Sequence, residues 1–244
     1  MHTTFHVGSS GGFGGLPILI FIVVAALIVV GAIYSWINAK KRREALAAWA
    51  ASKGLSFSEG RDGGYEYSFP EFKVLKAGES DRYAYNIISG SYRNRELRAF
   101  DYHYITTSTD DKGNRTTTHH TFSAVIIAST IPLKPLHIRP EGFFDKIGAV
   151  FGFEDINFES AEFSRKYKVT APDRKWAYDV LHARAIEYLL KLPPFSMQLD
   201  SRNVIFWNNK NWDVPQFESA MNIVNDLLEM LPEYVKEQQL GTTP

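Results

Sequence analysis

Hydrophobic and polar positions follow three successive patterns along this chain. In the first, residues 16–36 are apolar throughout, and no Asp, Glu, Lys or Arg occurs before Lys40. A helix rises about 1.5 Å per residue, so roughly 20 apolar residues cross a bilayer core of about 30 Å. The run has no polar face, unlike the amphipathic helix of a soluble core. It predicts a transmembrane helix over residues 16–38. Pro17 falls in the first turn, where its missing N–H has no partner to lose. Tyr34 and Trp36 stand near the exit, where amphipathic rings favour the headgroup layer. Lys40, Lys41, Arg42 and Arg43 come next as a membrane flank, and residues 44–53 continue as a helical stalk with Leu46 and Trp49. Gly54 stands where a helix C′ glycine belongs.

In the second pattern the period is two. Residues 55–58, 65–69, 72–75, 83–88 and 96–104 are short runs rich in aromatic and β-branched side chains. Turn signals at residues 61–64, 77–80 and 90–91 separate them. The clearest hairpin pairs residues 98–108 with 116–128 across Asp110-Asp111-Lys112-Gly113-Asn114. With its turn centred on Lys112, paired residue numbers sum to 224, so Ile105 faces His119. Residues 136–139 read as a further strand.

From residue 141 the period becomes helical. Phe143, Phe144, Ile147, Val150 and Phe151 mark a short amphipathic helix. Residues 166–169 read as a strand. Asp173 opens a helix that runs to about Leu192 and stops before Pro193-Pro194. Residues 196–199 and 204–207 read as a hairpin around Asp200-Ser201-Arg202-Asn203. Asp213-x-x-Gln216 is a capping-box opening, after which Phe217, Met221, Val224, Leu228 and Leu231 recur at helical spacing. Strands first and helices later predict an α+β fold: an antiparallel β-rich domain with two long C-terminal helices packed on one face. The expected organisation is a flexible Gly/Ser-rich tail (1–15), the transmembrane helix (16–38), flank and stalk (39–53), a soluble domain (54–235) and a frayed tail (236–244).

Composition narrows the functional classes. The chain has 27 basic and 27 acidic residues. Four of the basic ones form the membrane flank, so 23 remain against 27 acidic ones in the rest. Such a domain lacks the basic stripe that nucleic acid requires. The absence of cysteine removes disulfides, thiol catalysis and cysteine-ligated metal in one step. Positive charge is retained on the cytoplasmic side. The flank therefore predicts a single-pass protein of the plasma (inner) membrane, N-terminus outside and C-terminal domain cytoplasmic. A cleaved signal peptide is the rival reading, but it calls for a basic n-region and a shorter apolar core. Gly31 and Ser35 have helix-pairing spacing, but that spacing is common by chance and a plain lipid-facing anchor is the better reading.

Candidate chemistry is sparse. Asp101, His103 and His119 share one side of the hairpin and form a candidate metal set, whereas His120 points to the other side. A solvated polar hairpin face accounts for the same residues. There is no G-x-S-x-G elbow, phosphate-binding Gly loop or H-E-x-x-H. No cofactor is expected. Phe143, Phe144 and Phe151 could meet a lipid surface or a partner, and Trp207 and Trp212 a binding groove; core packing and strand formation are the plainer uses of all five.

Residues 155–170, with Phe158, Ser160, Phe163, Arg165, Tyr167 and Val169 in an F-x-s-x-x-F-x-r-x-F/Y-x-V phrase, and the helix through Leu192 resemble a family of bacterial membrane-anchored proteins that carry a domain of unknown function. Upstream, Ala50-x-x-x-Gly54-Leu55-x-Phe57 is similar to an element of the same proteins. The resemblance implies a bacterial, membrane-associated protein and carries no catalytic residues. The resulting expectation is a membrane-anchored, non-catalytic interaction or scaffolding module. Its partners would be the bilayer through residues 16–36 and a membrane-associated protein, with a homo-oligomer left open. The alternatives are a metal-dependent or other hydrolase acting on a membrane-proximal substrate, with Asp101, His103 and His119 in the site, and a lipid-surface-sensing domain.

Overall fold

The computed structural model describes residues 15–142 and 155–241. The chain divides into two compact units, Met1–Glu44 and Ala45–Pro244. Helix α1 (Gly15–Ser52) is unbroken. Its apolar part is long and apolar enough to cross a membrane, and none of that stretch is buried in protein. Its last turns belong to the second unit, where Leu46 and Ala50 are fully buried and Trp49 nearly so. The helix ends as predicted. Gly54 is left-handed at φ 70°, and the amides of Gly54 and Leu55 return to the carbonyls of Ala51 and Ala50 at 3.1 and 2.9 Å. This is the paired hydrogen bonding of a Schellman motif, with Leu55 folding back into the core.

The second unit is α+β. Strands β1 (Ser56–Ser58), β2 (Ser80–Tyr92), β3 (Arg95–Thr109), β4 (Arg115–Pro140), β5 (Tyr167–Thr170) and β6 (Ser196–Asn208) form one antiparallel sheet. Its spine is β4, which pairs with β3, β5 and β6. The β3–β4 register runs from Leu97↔Ile127 to Thr109↔Arg115, summing to 224 at every pair. Side chains therefore sort by parity. Leu97, Ala99, Val125 and Ile127 enter the larger core, which also contains Trp176, Ile186, Phe217 and Val224 from the C-terminal helices. Phe100, Tyr102, Phe122 and Ala124 enter a second core on the opposite face, closed by Tyr65, Phe72 and Leu75.

Four local expectations are corrected. Residues 65–69 and 72–75 are not strands: they form α2 (Tyr65–Ser68) and a 3₁₀ turn (Lys73–Lys76). The Asp62 carboxylate accepts from Gly64 N–H at 2.8 Å and turns the chain off the sheet. Tyr65 and Phe69, whose i, i+4 spacing also suits one helical turn, then lie with ring centroids 5.8 Å apart. Residues 196–207 are not a hairpin but one strand, β6, with the turn-like Ser201 at φ 56°. It lies against an irregular stretch of β4, where the register passes from Ala128↔Asn203 to Leu133↔Ser201. Residues 136–139 belong to that same long β4. The helix from Asp173 is divided into α4 (Arg174–Val180) and α5 (Ala183–Leu190) by extended backbone at His182. The helix expected at Phe143, Phe144 and Phe151 lies outside the described residues.

Before α4, α3 (Ala161–Lys166) starts at Ser160, whose hydroxyl accepts from Phe163 N–H at 3.2 Å. Lys166 Nζ donates to the carbonyls of Leu190 and Leu192 at 2.8 and 2.7 Å, satisfying the exposed end of α5. Helices α6 (Val214–Glu229) and α7 (Glu233–Leu240) complete the unit. The capping box is present, with Asp213 N–H donating to Gln216 Oε1 at 3.1 Å.

Candidate functional site

The polar residues singled out in the sequence meet where the β3–β4 hairpin emerges from the sheet. Asp101 opposes Ser123 and His103 opposes Thr121. All lie on the parity of the larger core, beyond its apolar part. Asp101 is fully buried. Its carboxylate accepts from the Ser123 hydroxyl and, at 2.8 Å, from Asn86 Nδ2. Asn86 reaches it because β2 is irregular between Tyr85 and Ile88, with Asn86 itself at φ 48°. Ser123 Oγ also accepts from Trp212 N–H at 2.8 Å, and Ser123 N–H donates to the Lys210 carbonyl at 3.0 Å. Asp101 and Ser123 thus tie the β6–α6 connection to the sheet.

His103 meets Asp81 and His119. Its Nδ1 lies 2.9 Å from the Asp81 carbonyl oxygen, an acceptor only, so Nδ1 carries the proton. Its Nε2 lies 3.1 Å from His119 Nδ1, and the Asp81 carboxylate stands 3.5 Å from Nδ1. The His103 ring stacks on Tyr83 at 4.7 Å, and the Arg61 guanidinium lies 4.4 Å over that tyrosine. On the opposite face, His120 meets Thr106 Oγ1 at 2.8 Å and stacks on Tyr104.

The shared side predicted for Asp101, His103 and His119 is present, but the three do not converge. The carboxylate is taken up by Ser123 and Asn86, and the two imidazoles by each other. Among the described residues no group of three or more His, Asp or Glu side chains is arranged to hold a metal ion. Ser123 and Asp101 lack an intervening imidazole, so they form no nucleophile–base pair of the kind acyl transfer uses. Both are fully buried. Their arrangement fixes backbone.

The remaining candidates fall elsewhere. Trp207 and Trp212 are each only 3% exposed and belong to the two cores, and Trp212 also lines a small cleft of about 80 Å³ with Phe195, Phe206 and Ala220. Trp207 stacks on His137 with ring planes 9° apart. Burial, with Arg139 and Lys73 nearby, holds the His137 imidazole down to about 4. Lys40 and Lys41 are exposed, Lys40 lying 3.8 Å from Glu44 and over the Trp36 ring; Arg42 and Arg43 are half-buried. Phe143, Phe144 and Phe151 lie outside the described residues. Asn86, Asp81 and His137 were missed in the sequence; Ser123 could have been found there, because the 224 sum places it opposite Asp101.

Among the described residues, two larger clefts open on the helical side. One, of about 490 Å³, is charged and lies between α5 and α6 beside Arg184, Lys191, Asp226 and Glu229. The other, of about 510 Å³, is more apolar and is lined by Phe158, Tyr178, Leu181, Ile186 and Leu190, with His182. Neither gathers the convergent polar groups of a small-molecule catalytic pocket.

No family model matches this chain, and no curated protein sequence matches it. Among solved structures, the fold is similar to the crystal structure of the mycobacterial trehalose monomycolate transport factor A, TtfA. The TM-score is 0.55 at 14% identity, over 78% of this chain and 96% of that one. The likeness establishes a shared α+β fold.

Proposed function

We propose that this chain is a single-pass membrane protein whose second unit is a non-catalytic binding module. In this reading it faces the cytoplasm and serves as an accessory to a membrane-embedded transport machine. The observation that carries the reading is the combination of an apolar, unburied helix able to span a bilayer with a fold similar to that of a transport factor. The positive flank at residues 40–43 supports the cytoplasmic side for residues 44–244. Membership of the bacterial anchored family suggested by residues 155–192 is part of the same proposal. The polar cluster at Asp101 and His103 supports binding over catalysis, because its groups satisfy one another. An anchor concentrates such a module at the bilayer and turns weak contacts into useful occupancy.

The experiment is cross-linking and affinity recovery of the full chain from native membranes, against residues 1–53 as control. A stoichiometric membrane protein recovered only with the full chain is the expected result. Recovery of the same protein by residues 1–53 alone contradicts the proposal.

A further inference from the structure

A smaller cleft, of about 200 Å³, lies between the irregular stretch of β4 and the corner where α6 meets α7. Ala128 pairs with Asn203 and Leu133 with Ser201, and the residues between them leave the β6 ladder. Ser129 and Ile131 of that stretch line the cleft with Leu228, Glu229 and Leu231, and two cations, Arg95 and Lys236, join them. Arg95 opens β3, and its side chain is only 13% exposed. A buried charge is tolerated where it is paired and hydrogen-bonded. A guanidinium has five N–H donors. Among the described residues Arg95 places one of them, from Nη1 to Asn225 Oδ1 at 2.9 Å. Asn225 is fully buried and is held in turn by its own Nδ2, which donates to the Met221 carbonyl at 2.9 Å. Glu229 Oε1 stands 3.7 Å from Nη1, beyond hydrogen-bond reach, and is shared with Arg93 at 3.6 Å. Arg95 Nε is buried without an acceptor. Buried donors left unsatisfied are rare in native structures, so this guanidinium has binding capacity that the fold does not use.

We infer that this cleft is a binding site for a short aliphatic carboxylate, received by Arg95. Nη2 and the second N–H of Nη1 form the planar end of the guanidinium, which takes a carboxylate through two parallel hydrogen bonds. Ser129 adds a donor: its hydroxyl oxygen accepts from Ile131 N–H at 3.1 Å, which leaves the hydroxyl proton to give. Lys236 is half-buried, and its contact with exposed Glu233 at 3.3 Å is a surface ion pair, worth little. Two cations, Arg95 and Lys236, against the one carboxylate of Glu229 leave a single positive charge at the cleft, which matches a monoanion. A dianion would set its second charge against Glu229. Ile131, Leu228 and Leu231, each no more than 5% exposed, supply the apolar wall for the alkyl group. The volume falls below the roughly 300 Å³ at which sites for drug-sized ligands begin, so that group is short.

Butyrate tests the site by calorimetric titration of the full chain in phosphatidylcholine nanodiscs. Saturable binding is expected, with a Kd of about 1 mM or tighter. Arg95→Lys keeps the charge but loses the fork, and is expected to weaken binding at least about tenfold. Because Arg95 also ties β3 to Asn225 of α6, two variants at the rim keep the test decisive if Arg95→Lys misfolds. Lys236→Ala is expected to weaken butyrate binding about threefold, and Glu229→Gln, which removes the opposing carboxylate, to strengthen it about threefold. Methyl phosphate, a dianion at about pH 8, and butylammonium are each expected to bind at least about tenfold more weakly than butyrate. Three results would each overturn the inference: no saturation by butyrate below about 10 mM, a Kd that neither rim variant moves while circular dichroism matches the parent, or methyl phosphate or butylammonium binding as tightly as butyrate. An unchanged Kd in a folded Arg95→Lys chain would do the same.

Discussion

At the residue scale, the buried polar groups decide where stability is most sensitive. Replacing Asp101 by Ala strands the Asn86 amide and the Ser123 hydroxyl without their acceptor. A buried polar group left unsatisfied costs about 1–3 kcal/mol, so Asp101→Ala is expected to lose about 2–5 kcal/mol in denaturant unfolding. A loss within a few tenths of a kcal/mol would mean that the tie is idle. His137 carries a pH dependence. Its imidazole is held down to about 4 from 6.5 by burial, with Arg139 and Lys73 adding to the effect. The fold favours the neutral ring. Its contribution is therefore complete above pH 6.5 and is lost as pH falls from there toward 4. The loss amounts to about 3 kcal/mol. His137→Phe should flatten the unfolding free energy over that window, and an unchanged slope would assign it to another group.

At the element scale, the signals with a definite geometric requirement were legible in the sequence. The hairpin register followed from one turn and held over the whole ladder. Gly54 and the Asp213/Gln216 box were readable because a C′ position and a first helical turn ask for particular residues. What failed were short aromatic runs and turn chemistry without context. Tyr65 and Phe69 suit one helical turn as well as a strand. Asp200-Ser201-Arg202-Asn203 reads as a hairpin turn, yet the same residues allow the left-handed Ser201 that accommodates the bend of a single strand. Of the site, parity gave the common side of Asp101, His103 and His119. It could not give Asn86 or Asp81, which arrive through irregularities of β2 that no local pattern announces. Two glycines separate backbone strain from crowding. Gly54 and Gly78 share a φ near 70°, but a Cβ at Gly54 meets nothing, whereas at Gly78 it strikes the Ile105 carbonyl and the Tyr104 ring. Gly54→Ala should cost about 1 kcal/mol. Gly78→Ala should cost about 2–4 kcal/mol, measured in the same unfolding assay. Equal losses would contradict the close approach.

At the scale of the whole molecule, the sheet of the second unit is covered on both faces, and its polar cluster is turned inward on itself. The first unit offers an apolar, unburied helix. Neither unit contains an assembled catalytic constellation among its described residues, and the fold is one shared with a transport factor. The proposed function therefore rests on recognition by the second unit at the membrane. Exchanging residues 16–38 for an unrelated single-pass helix isolates that claim. Partner recovery from native membranes should then be quantified for the exchanged and parent chains side by side. The exchanged chain is expected to retain the parent's partner at the parent's stoichiometry. Loss of the partner with residues 45–244 unaltered, or its equal recovery by the anchor alone, would contradict recognition by the second unit.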